Sequence, residues 1–254
     1  MVNTMVAKIG VSMSVFLDSE YSLNDALEFL ESRVRYVELI CDGNMDIMEK
    51  FEDLETYNLK YTIHSPITDI NLSSHREKVR TMSIEIIEDV LKTSLKVDAR
   101  LIVVHPGYSI FKHDYERNLN SLINSLKDLN KLKEEYGIDI TIENMPSYDM
   151  FMFRHPDEYI INNLDEVKIT FDIGHSFLNG NIDEFLKIDS IIHTHIHDNN
   201  GEFDEHLPIG MGKINFDNFK DSLKNIKGIK MIELQHKSFE YIDDCISKLK
   251  NLIK

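Results

Sequence analysis

The chain has no tryptophan, two cysteines, five prolines and no apolar run of 18 residues. Without such a run no helix is expected to cross a bilayer, so no membrane partner is expected. Cys41 and Cys245 are too few and too far apart for a disulfide scaffold. They are expected as buried free thiols, as suits a reducing compartment. The opening "MVNTMVAKIGVSMSVF" is apolar but lacks a basic n-region and alternates like a strand. A cytoplasmic protein is therefore expected rather than an exported one. Basic residues are also in deficit, 28 Lys and Arg against 44 Asp and Glu, a formal net charge of −16. Such a surface repels phosphate backbones at long range and disfavours general nucleic-acid binding, although bound divalent cations would offset it locally. Neither G-x-G-x-x-G nor G-x-x-x-x-G-K-[ST] occurs, which removes the common nucleotide-binding loops.

What the sequence does hold is repetition. Short β-branched runs read as strands at 7–14, 36–41, 60–66, 100–106, 139–145, 167–175, 191–198 and 231–236, with helical stretches following each. "SLNDALEFLESR" has Ser22 as a candidate N-cap and apolar residues at Leu23, Ala26, Leu27 and Leu30. The helix beginning near Tyr115 closes on Gly137. Eight strand–helix units in 254 residues, with no linker or low-complexity segment, predict one α/β domain over 1–254. Its predicted form is a closed (β/α)8 TIM barrel whose site lies at the C-terminal ends of the strands.

Those ends are rich in ligand-type side chains. His64 ends strand 3, His105 strand 4, Glu143 strand 5, and Asp172 and His175 strand 6. Strand 7 carries His193, His195 and His197, its loop adds Asp204 and His206, and Glu233 lies on strand 8. Any one of them alone is more often a hydrogen-bonded structural residue. Together around one mouth they are costly to bury unless cations pair with them. Mixed imidazole and carboxylate sets suit zinc, manganese or ferrous iron. Period 2 puts the three strand-7 histidines on the interior face, too far apart for all to bind one ion. His193 is expected to be deepest and structural, and His195 to sit at the ligand level. His197 is expected nearest the rim, beside the ligands or touching substrate.

In order along the chain, "HSP", "VVHPG", "IENM", "FDIGH", "HIHDNNGEFDEHLPIGMGKINF" and "IELQH" resemble the xylose-isomerase-like TIM-barrel superfamily, and within it the endonuclease IV (AP endonuclease family 2) branch. That resemblance implies a DNA-repair-type phosphodiester hydrolase with two to three Zn2+ ions. It implies that His64 and His105 hold a first ion and share Glu143 with a second. Asp172, His195 and Glu233 would complete the second site, and His175, Asp204 and His206 the third. Glu143 would be the catalytic residue, with Asn144, His197 and His236 beside the ligands or substrate. Three divalent ions against the four carboxylates leave about +2, suited to a phosphodiester. The segments after strands 2 and 3, "DGNMDIMEKF" and "SPITDINLSSHR", lack the aromatic, basic and wedge residues with which endonuclease IV enters DNA. Weak affinity for intact duplex is expected accordingly. The same superfamily implies an alternative, a sugar isomerase or epimerase with one Mn2+, Mg2+ or Co2+, in which Glu143 and Glu233 exchange protons beside a carbonyl.

Overall fold

The computed structural model describes residues 8–49 and 54–254. Eight parallel strands close on themselves in chain order, with β1 paired to β8. They are β1 (Ile9–Ser12), β2 (Tyr36–Ile40), β3 (Lys60–His64), β4 (Leu101–Val104), β5 (Asp139–Glu143), β6 (Lys168–Asp172), β7 (Ile191–Ile196) and β8 (Ile229–Ile232). The helices are α1 (Leu23–Glu31), α2 (Glu77–Lys96), α3 (Tyr115–Tyr136), α4 (Glu158–Ile161), α5 (Ile173–Asn179), α6 (Ile182–Phe185), α7 (Lys220–Asn225) and α8 (Ile242–Leu252). This is the expected (β/α)8 barrel.

Local chemistry explains several boundaries. Ser22 caps α1 in a reciprocal box with Asp25. Gly137 ends α3 at φ 67°, a left-handed position that costs glycine little. Two expectations need correction. Between β2 and β3 the described residues form only 3-10 turns, at Gly43–Met45 and Leu54–Thr56, and 50–53 lie outside the described residues. The second correction concerns β6, which stops at Asp172 rather than running on to His175. The Asp172 carboxylate accepts the His175 backbone N–H at 2.7 Å and so starts α5. Likewise β8 ends before Glu233. The start of strand 1 at Ala7 lies outside the described residues.

The strand alternation sorts residues into layers. Outward-facing Val37, Leu39, Ile63, Ile140, Ile142 and Phe171 are buried beneath the helices. Inward, one level holds Glu38, Thr62, Thr141, Thr170 and His193, all 2% exposed or less. Two residues further along each strand, the next level holds His64, Glu143, Asp172 and His195. A register shift between Ile169 and Thr170 sets His193 opposite Thr170 and His195 opposite Asp172. A polar floor thus underlies the ligand level. Cys41 and Cys245 are buried free thiols. Among the described residues no helix is long and apolar enough to cross a membrane.

Candidate metal centre

Imidazole and carboxylate atoms converge in four adjoining groups among the described residues: Glu38, His193 and His195 a level deeper, sharing His195, and three at the C-terminal mouth. His64, His105 and Glu143 form one, and Glu143, Asp172, His195 and Glu233 a second. His175, His197, Asp204 and His206 form the third, with donor atoms in each group within 4.8 Å of one another. Glu143 joins the first two. Its Oε2 faces His64 Nε2 at 3.4 Å and His105 Nε2 at 3.2 Å, while its Oε1 faces His195 Nδ1 at 2.9 Å. Glu233 Oε2 lies 3.0 Å from the same His195 nitrogen. Asp204 Oδ2 lies 3.0 Å from His175 Nε2 and 3.2 Å from His206 Nε2.

Two of the imidazoles that face the mouth are held from behind. His64 Nδ1 donates to the Ser65 carbonyl and His175 Nδ1 to the Asn144 carbonyl, both at 2.8 Å, which turns each Nε2 inward. Asn144 is a clamp: its side chain exchanges two hydrogen bonds with the Asp172 backbone, tying β5 to β6. His206 adopts φ 48°, a left-handed conformation that a non-glycine residue holds only under constraint.

The charges require compensation. Burial opposes charge on His64, His175, His195 and His206, but the facing carboxylates override it. Glu143 and Asp204 dominate at His64 and His206, whose pKa values rise to about 9. His175 and His195 are raised well above the usual value in the same way. At His105 burial prevails and its pKa falls. Burial also pushes the carboxyls up, yet the imidazoles hold Glu233 at about 2 and keep Glu143 and Asp204 well below the ordinary range. Asp172 Oδ2 and Asp204 Oδ1 are buried with no hydrogen-bond partner. Unsatisfied anionic oxygens beside neutral-capable imidazoles fit a divalent transition metal, and protons are its competitors.

All nine expected ligand residues come together. His197 differs from expectation in that it is fully buried rather than at the rim, with its Nε2 3.2 Å from Asp172 and its ring stacked on His206 at 3.8 Å. Gly174 makes room for it, since a Cβ there would sit 2.0 Å from the His197 ring. His236 is not brought to the cluster; it is half-exposed, 3.9 Å from Asp18. Sequence reasoning missed two residues. Glu38 lies under the cluster, and its signal was a carboxylate at an inward position of the apolar run "YVELI". Asp198 organises the loop after β7 by accepting the backbone N–H groups of Asn199, Gly210, Gly212 and Ile214 at 2.9–3.0 Å.

This donor arrangement on a closed barrel agrees with a direct sequence match: residues 34–252 fit the sequence pattern of the xylose isomerase-like TIM barrel. The chain belongs to the xylose isomerase-like TIM-barrel family. An uncharacterized protein of Methanocaldococcus jannaschii is 64% identical over 97% of this chain and 100% of its own length. A probable endonuclease 4 of Methanosphaera stadtmanae is 29% identical, with 73% of each chain covered. A solved D-tagatose 3-epimerase-like protein superposes with a TM-score of 0.80 at 30% identity, covering 97% of this chain and 100% of that one. Xylose isomerase-like barrels thus include enzymes named for two chemistries, and the arrangement of the donor groups bears on the choice between them.

Proposed function

We propose that the protein is a multinuclear metal-dependent hydrolase of phosphate esters, of endonuclease IV type, with Zn2+ as the expected ion. The observation that carries this is the extent of the donor set at the mouth: three adjoining groups there, two of them sharing Glu143, above the deeper group of Glu38, His193 and His195. A single-ion isomerase needs only the central four residues. His64, His105, Glu143, Asp172, His175, His195, Asp204, His206 and Glu233 would hold the ions. When bound, such ions lower the pKa of water and neutralise charge on the phosphoryl group. The chain's own part would be to orient or deprotonate the attacking water through Glu143. Asp204 and His206 fix the side of the site nearest the loop after β7. Counting Glu38, three divalent ions against five carboxylates leave about +1, still suited to an anionic ester.

The rim favours a small ester over duplex DNA. Tyr108, Phe111, Tyr148 and Phe203 are exposed on the loops after β4, β5 and β7 and offer ring faces, and Met150 beside them adds an apolar thioether rather than positive charge. A second reading, a sugar epimerase, draws support from the 30% identical epimerase-like structure and from Glu143 and Glu233 facing one central group. One experiment separates the two. Metal analysis is expected to find two to three ions per chain, and Asp204→Asn is expected to lower kcat and kcat/KM on a phosphodiester together, by about a hundredfold. A single ion per fully loaded chain, or ketose epimerisation that survives Asp204→Asn, would favour the epimerase.

A further inference from the structure

The histidine at the centre of the site is held differently from its neighbours. His64 and His175 are each braced by a backbone carbonyl, whereas His195 is braced by a side chain from the opposite part of the barrel. Its Nε2 lies 3.0 Å from Glu38 Oε1 on β2. The other oxygen, Glu38 Oε2, accepts from Thr62 Oγ1 at 3.1 Å and His193 Nε2 at 3.0 Å. All four residues are 2% exposed or less. Glu38 Oε1 and His195 Nε2 face each other at 3.0 Å but off the line of a straight hydrogen bond, and neither atom makes another hydrogen bond among the described residues.

We propose that Glu38 is the positioning residue of the central cation site, setting the tautomer and orientation of His195. This rests on the metal-site reading above. A carboxylate is an acceptor only, so the neutral imidazole beside it keeps its proton on Nε2. The Nδ1 lone pair is then free. It is the atom that faces Glu143 at 2.9 Å, Glu233 at 3.0 Å and Asp172 at 3.9 Å. Thr62 and His193 hold Oε2, which leaves Oε1 to His195 and fixes the carboxylate's rotation. A buried carboxylate is costly to desolvate whatever its role, and Thr62, His193 and His195 all face this one with groups able to donate. Glu38 touches no expected substrate position and acts through His195.

The test uses Glu38→Gln, whose amide can donate to His195 Nε2 and so drive the proton to Nδ1, the wrong tautomer for a ligand. Titration of the metal-free protein with Co2+, followed by its visible absorption, is expected to show one ion per chain weakened by about 10- to 100-fold. The remaining ions should bind as in wild type, and Glu38→Asp should restore part of the loss. A merely structural role would lower the melting temperature of the metal-free variant and leave Co2+ affinities alone. Glu38→Gln with every Co2+ affinity within twofold of wild type overturns the proposal. If neither variant folds, long-range 1H–15N NMR of the Zn2+-loaded wild type decides: the proposal requires a proton on His195 Nε2, and one on Nδ1 overturns it. Wild type that takes up no Co2+ would overturn the metal reading itself, and this assignment with it.

Discussion

Glu143 is 1% exposed and lies within 3.4 Å of three imidazoles, a position in which protons would compete with a bound metal ion for the same lone pairs. That competition has a pH signature in metal-free protein. The folded pKa values of His64 and His206, about 9, lie above the ordinary 6.5, so their contribution to folding is complete below pH 6.5 and is lost as pH rises through 9. Glu233 is depressed from 4.5 to about 2, so its contribution is present above pH 4.5 and lost as pH falls through 2. Chelator-treated protein is therefore expected to be most stable between pH 4.5 and 6.5 and to melt at lower temperature toward pH 9. Saturating Zn2+ should remove the alkaline loss, because its ligands bind deprotonated. Circular-dichroism melts across pH check this, and a metal-free melting temperature that climbs from pH 6.5 to 9 contradicts it.

At the scale of elements, the loop after β7 carries Asp204 and His206 but is built by Asp198. Its carboxylate satisfies four backbone N–H groups from residues 199 to 214 and is fully buried. Asp198→Ala would leave those donors unpaired and is expected to cost about 3 kcal/mol in urea unfolding. On the proposed metal reading, the same variant should weaken metal uptake at the Asp204 group and spare the groups that share Glu143, which equilibrium dialysis would show. Equal weakening of all ions would mean that the loop is not an independent unit. The short α5 makes a second case. Gly174→Ala would press its Cβ into the His197 ring, and the expected cost is about 1–3 kcal/mol. A variant as stable as wild type would mean the ring has room to move.

For the whole molecule, net charge decides what approaches the mouth. A chain at −16 with an aromatic rim is expected to bind undamaged duplex DNA weakly, and the affinity should drop steeply as salt rises. Fluorescence anisotropy with a labelled duplex tests this, and nanomolar binding that tolerates salt would contradict it. The barrel itself is legible in the sequence. Eight alternating units, the Ser22 cap and the Gly137 stop are local signals, and short-range hydrogen bonding and backbone sterics suffice to produce them. The nine donor residues were legible for a related reason. They stand at or just beyond strand ends, where the topology sends side chains to one face, and they match a family pattern. Glu38 was not legible as part of the site, because its own strand carries apolar Ile40 at the ligand level and only the closure of the barrel brings β2 against β7's histidines. The helical start at Ile173 was hidden inside a β-branched run, since an Asp cap outweighs strand propensity only when its carboxylate can reach the His175 N–H. His197 and His236 looked alike in one dimension, yet one is sealed under His206 and the other faces solvent. The sequence by itself determined the period, the caps and the residue types that converge. Tertiary structure alone decided which carboxylate braces which imidazole, because that depends on strands far apart in the chain meeting at one level of a closed barrel.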